Sequence, residues 1–109
     1  MAKTTSIASY LTDGNGHSAS SGGTDGLKYV QVPCAAIGLD EADIDDFPEF
    51  INALIRTART NFLALENDAR PEHMRISKND SVNEDDSVSR TFTVRLDVEY
   101  GDESVKDEA

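Results

Sequence analysis

The stretch from Asp45 to Ala69 limits what this chain can fold into more than any other. Phe47, Phe50, Ile51, Leu54, Ile55, Ala58, Phe62, Leu65 and Ala69 recur at steps of three and four residues. At ~3.6 residues per turn, that spacing lines them along one side of a helix. It predicts a helix over 47–69, about 35 Å long at ~1.5 Å per residue. Asp46 is placed to cap its start, and Glu49 stands three residues on, where a capping box has its acid. Pro48 suits the first turn, where a missing N–H costs nothing. Pro71 disfavours a helical Arg70 and predicts the end. Asn52, Arg56, Arg59, Thr60 and Asn67 fall on the other side, expected to be wet. Burying the stripe is worth ~1.5–3 kcal/mol per large side chain, and only a sheet or further helices can bury it.

A second pattern supplies that partner. Phe92, Val94, Leu96, Val98 and Tyr100 alternate with Thr91, Thr93, Arg95, Asp97 and Glu99. Period two predicts a strand over 89–100 with one buried face, about 33 Å long at ~3.3 Å per residue. Met74 and Ile76 alternate with Arg75 and Ser77 in a third strand. Residues 27–37 read as another strand, with Pro33 confining it to an edge or placing its end nearby. Residues 4–11 read as the weakest strand, with a mobile arm as the competing reading. Gly38 breaks the second strand, and residues 39–44 suit a short turn of helix.

The expected fold is therefore α+β in two layers. An antiparallel sheet of about four strands, in β-β-α-β-β order, has one long helix packed on one face. Its core is drawn from Phe47, Phe50, Ile51, Leu54, Ala58, Phe62 and Leu65 of the helix and Phe92, Val94, Leu96 and Val98 of the strand. One small domain spans 1–109. A flexible Gly/Ser loop is expected at 12–26, a polar acidic connection at 79–86 and an acidic tail with nothing to bury at 101–109.

Only 24 of the 109 residues are Leu, Ile, Val or Phe, so the core is thin. Such a chain gains stability by association. The formal charge of −11 is uneven: −6 over 1–55, +2 over 56–78 and −7 over 79–109. Overall acidity disfavours general binding to nucleic acid or anionic membranes. A local basic face remains, and Arg56, Arg59, Arg75, Lys78 and Arg95 are its candidates for contact with nucleic acid or a partner.

The search for catalytic or metal chemistry is empty. Cys34 stands alone, which rules out an intrachain disulfide and a multi-cysteine metal site. His17 and His73 have no partner at metal or triad spacing. The glycine loop lacks a Gly-Lys-Ser/Thr ending, and Ala19 stands at the third position of G-x-G-x-x-G. Asp13, Asn15 and His17 mimic the start of a calcium loop, but Ser18 and Thr24 occupy its glycine and glutamate positions. Asp80, Glu84, Asp85 and Asp86 lack its spacing as well. No catalytic residue, cofactor or metal ligand is expected. Residues 1–11 lack the apolar run of a signal peptide, and no segment is apolar enough to span a membrane; synthesis in a cytoplasm is expected.

These features point first to a non-enzymatic structural or assembly subunit acting by self-association. A coat, cement or tail protein of a virus or phage particle is the class in view, with residence in the virion. Its partners would be copies of itself and other particle components. The alternative is a small acidic inhibitor or nucleic-acid mimic that fills a basic groove on a partner protein. A third reading is a coat-type protein touching nucleic acid through the basic face.

Overall fold

The computed structural model describes residues 3–106. The chain forms two compact units, Thr4–Leu65 and Met1–Lys3 with Glu66–Ala109. The architecture is α+β, with one long helix and two antiparallel sheets of two strands each.

In the first unit, residues 4–11 form no strand. Ser6 caps a four-residue helix α1, Ile7–Tyr10, its hydroxyl accepting from the Ala8 N–H at 3.2 Å. A serine that can satisfy the backbone locally outweighs the strand preference of a few β-branched neighbours. Residues 12–26 are more than a loop. Thr12 bridges Ser18, Ala19 is buried, and β1, Ser20–Gly22, pairs antiparallel with β2, Tyr29–Gln31. Gly23 makes this return possible: it has φ +93°, and a Cβ there would strike the Leu27 carbonyl oxygen.

The strand expected over 27–37 lasts only from 29 to 31. Pro33 stands just past its end and begins helix α2, Cys34–Ile37, which Gly38 terminates in the left-handed conformation at φ 68°. A 3-10 turn over Glu41–Asp43 follows, capped by Asp40.

The long helix α3 spans Phe47–Ala64 and starts as the sequence predicts. Asp46 Oδ1 accepts from the Glu49 N–H at 3.2 Å, and Pro48 lies in the first turn. It stops five residues early. Leu65 is extended at φ −75°, ψ 148°, and Asn67–Ala69 forms a separate 3-10 turn. The α-helix thus ends before Pro71 compels it to.

The packing face of α3 is also rotated from the apolar stripe. Its partners within the unit are α1 and α2. Ala53 and Phe62 are buried, but Thr57 and Asn61, one and two turns beyond Ala53, face the short helices. Short helices end in unpaired carbonyls, which require donors rather than methyl groups. Thr57 Oγ1 donates to Ile37 O at 3.0 Å; Asn61 Nδ2 donates to Tyr10 O at 2.6 Å and Thr12 O at 3.1 Å. Phe50, Ile51, Leu54, Ala58 and Leu65 are half-buried, and Phe47 is 70% exposed, so it is not core. Tyr10, Ala19, Ala36 and Ile37 complete the buried set of this unit.

The second unit is built on a hairpin. Strand β3, Met74–Val82, pairs antiparallel with β4, Val88–Leu96, from Met74↔Leu96 to Val82↔Val88. The first half of the acidic connection expected over 79–86 is therefore strand, and the turn is confined to 83–87. Asn83 N–H donates to Ser87 O at 2.8 Å, and Asp86 takes φ 68°. The chain after β4 is not a free tail. Val98 bridges Val105, with Glu99 N–H to Ser104 O at 2.7 Å and Lys106 N–H to Asp97 O at 3.0 Å. Residues 107–109 of the expected tail lie outside the described residues. Ala69, Pro71 and Ile76 are buried and Phe92 is half-buried. Val94, Leu96 and Val98, expected in the core, are 43%, 46% and 44% exposed. Side chains on one face of a two-stranded ribbon cannot cover one another as those of a wide sheet do.

Candidate functional site

The β3–β4 ribbon carries the most distinctive surface of the described residues. Alternation gives it two faces. Arg75, Ser77, Asn79 and Ser81 lie opposite Arg95, Thr93, Thr91 and Ser89, making one face wholly polar. Met74, Ile76, Lys78, Asp80 and Val82 lie opposite Leu96, Val94, Phe92, Arg90 and Val88 on the other. This second face is apolar at both ends and holds an ion pair between them. Arg90 Nε and Nη2 donate to the two Asp80 carboxylate oxygens at 2.9 and 3.0 Å. The Asp80 carboxylate raises the Arg90 pKa by that hydrogen bonding and by its charge.

The hydrogen-bond ladder has a definite parity. Asp97 N–H donates to His73 O at 3.0 Å and Asn83 N–H to Ser87 O at 2.8 Å, both in line with the strand register. Hydrogen-bonded and non-bonded pairs alternate in an antiparallel ladder. The odd-numbered residues therefore bond across the ribbon. The even-numbered residues, which carry the apolar face, turn their N–H and C=O groups outward. Among the described residues β4 pairs only with β3. Val88, Arg90, Phe92, Val94 and Leu96 thus form a strand edge with donors and acceptors pointing away from the ribbon.

The five basic residues singled out from the sequence are divided between the two units, and the three on the ribbon do not share one face. Arg75 and Arg95 are direct cross-strand neighbours on the polar face. Like charges so placed disfavour the pairing. Asp97 offsets this, with Oδ1 3.5 Å from Arg95 Nε and Oδ2 3.5 Å from His73 Nδ1. These groups, with Glu72, line a polar pocket of about 110 Å³. Lys78 lies opposite Phe92, so alternation sends it to the other face. Arg56 and Arg59 belong to the helical unit. Arg56 lines an open cleft of about 330 Å³ with Asp13, Thr57 and Asn61, and the buried Arg59 Nε has no hydrogen-bond partner.

Two carboxylates are tuned by local hydrogen bonds. The Asn15 N–H, then the His17 side chain, hold Asp13 below the usual carboxylate range. Ser87, through its hydroxyl and then its N–H, does the same for Asp85 in the hairpin turn. Both groups organise turns. Among the described residues no cluster of His, Cys, Asp and Glu could hold a metal ion, and no helix is long and apolar enough to cross a membrane.

The sequence already marks 89–100 as a strand without the proline or lysine that protects an edge, prone to pair with another copy if it lies at one. Its signal was present in the ten-residue alternation, but which groups face outward depends on the partner strand and on the turn at 83–87. No protein-family model, curated protein or solved structure matches the chain.

Proposed function

We propose that this protein is a non-enzymatic structural subunit that works by self-association, as a coat, cement or tail component of a virus or phage particle. The observation that carries the reading is the exposed apolar face of the β3–β4 ribbon. Val82 and Val88 near its turn are 76% and 53% exposed. An isolated two-stranded hairpin is marginal in water, and a sheet of three or more strands with a covered face is not. Each large aliphatic side chain covered by a neighbour adds ~1.5–3 kcal/mol. Association therefore supplies what one chain of this composition lacks. Pairing the ribbons of two copies would make a four-stranded antiparallel sheet of the assembly, different from the single-chain sheet expected from the sequence, which the two separate two-stranded sheets do not form. Synthesis in a cytoplasm followed by residence in the particle accords with this role.

Sedimentation across protein concentration, at about 0.05 to 0.5 M salt, tests the reading. A discrete oligomer formed without a partner is the expected result. A strict monomer under every condition overturns it. A monomer that binds basic proteins, with affinity falling steeply as salt rises, would instead support the acidic inhibitor or mimic; the exposed Glu84, Asp85 and Asp86 at the ribbon tip are what favour that second reading.

A further inference from the structure

We infer that the contact between copies is made by the outer edge of β4, which pairs antiparallel with β4 of a second copy about a two-fold axis at Phe92. The inference rests on the self-association reading and adds to it the surface, the partner strand and the register.

Three features select this edge. First, the ladder parity turns the N–H and C=O groups of Val88, Arg90, Phe92, Val94 and Leu96 outward, and among the described residues β4 has no second strand neighbour. Such a row is a template for another strand. Second, β4 lacks the usual protection of an edge: it contains no proline and no lysine. The outer edge of β3 has Lys78, and its Ile76 is buried. Third, the returning segment leaves the β4 edge open. Asp97 N–H faces His73 of the β3 side, and in an extended strand its carbonyl, which accepts from Lys106, faces the same way.

The register follows from the sequence of the strand. Two copies of 88–96 overlap fully only when residue pairs are symmetric about Phe92. Val88 then faces Leu96 of the second copy, Arg90 faces Val94, and Phe92 faces its own equivalent. These are the outward-facing residues, so they become the hydrogen-bonded pairs of the new ladder. Thr91 faces Thr93 and Ser89 faces Arg95 on the polar side. Val88 with Leu96 and Phe92 with its equivalent are apolar pairs, Thr91 with Thr93 is a hydroxyl pair, and neither arginine meets its own equivalent. A slip of one residue would set polar side chains against apolar ones. A slip that centres the axis on Arg90 would set two guanidinium groups directly opposite. The product is a continuous sheet in the order β3-β4-β4-β3, an isologous contact closed by its two-fold.

Two proline variants separate this edge from the other. Val94→Pro removes an N–H that the ribbon itself does not use, and proline is tolerated on an edge strand. Lys78→Pro does the same on the outer edge of β3. With circular dichroism confirming folded chains, sedimentation should show the association constant of Val94→Pro reduced at least about tenfold, and that of Lys78→Pro little changed. Equivalent-residue cross-linking then reads the register. In a Cys34→Ala background, Ser89→Cys, Thr91→Cys, Thr93→Cys and Arg95→Cys are each treated with a short bis-maleimide. Separation between equivalent residues grows by roughly 7 Å for each step from Phe92. Cross-linking should be fast and equal at 91 and 93, and slow and equal at 89 and 95. If Val94→Pro loses its strand signal, this profile decides, because its variants alter only exposed positions of the polar face.

A monomeric wild type overturns both the inference and the reading beneath it. An assembled wild type with Val94→Pro equally assembled overturns the β4 edge alone and leaves self-association standing. Equal loss in both proline variants, or a cross-linking profile not symmetric about 92, also overturns it.

Discussion

Asn61 shows how a single residue can be invisible in the sequence and central in the structure. Its Nδ2 reaches carbonyls 51 and 49 residues away, those of Tyr10 and Thr12. No local pattern predicts such partners. The apolar stripe was legible because periodicity is a local property, but the polar pair Thr57 and Asn61 answers carbonyls supplied by α1 and α2. Asn61→Leu keeps the branched shape of the side chain and removes the donor to both carbonyls. It should cost about 1–3 kcal/mol in urea unfolding. Arg56→Ala, at an exposed site of the same helix, should change stability by under about 0.5 kcal/mol. Equal losses would show that the α1–α3 contact does not depend on the amide. Asp13 acts over a shorter range. Its pKa is depressed in the folded chain, so its stabilising effect is present above the usual carboxylate value and is lost as pH falls through the lower folded value. Asp13→Asn should therefore lower stability in the neutral region and flatten the acid limb of a pH–stability curve, because the contribution it removes is already absent at low pH.

At the scale of elements, starts were easier to read than ends. The Asp46 cap and Pro48 fixed the first turn of α3 from adjacent residues alone. Its last turn lies elsewhere than the sequence predicts because the apolar spacing runs on through Leu65 and Ala69, while the backbone turns extended at Leu65 with no proline or glycine to mark the place. Short elements fared worst. α1 and α2 each hold four residues, too few for periodicity to separate a helix from a strand. The hairpin was half legible: alternation fixed its faces, whereas the polar run at 79–82 concealed the second half of β3. Capping gives a direct test. Asp46→Ala removes the acceptor for the Glu49 N–H and should lower stability by about 0.5–2 kcal/mol; Asp46→Asn, which keeps an acceptor, should recover most of that. Thermal melts of the pair read the difference. Failure of the asparagine to recover stability would assign the effect of Asp46 to charge at the helix start instead.

For the whole molecule, the opposing quantities are exposed apolar surface, which favours association, and a net charge of −11, which resists it. In the two-fold arrangement the turn of each ribbon, with Glu84, Asp85 and Asp86, comes beside the segment after β4 of the other copy, where Asp97 and Glu99 lie. Exposed charges of like sign repel over distances set by a screening length of ~8 Å at physiological salt. Assembly should accordingly strengthen as salt rises, opposite to the response of an acidic chain held in a basic groove. The turn carbonyls and carboxylates must be changed with care to test this. Asp85 is unsuitable, since its carboxylate accepts from both the N–H and the hydroxyl of Ser87. The Glu84 and Asp86 carboxylates accept no such bond among the described residues, and asparagine tolerates the left-handed backbone that Asp86 adopts. The double variant Glu84→Gln, Asp86→Asn should therefore fold normally and associate more strongly than the wild type at about 0.05 M salt, with the advantage shrinking toward about 0.5 M as screening takes over. Sedimentation of the two proteins side by side measures both the gain and its salt dependence. A gain that persists unchanged at high salt would mean the acids act through turn geometry. No gain at low salt would place the turn away from the acids of the neighbouring copy.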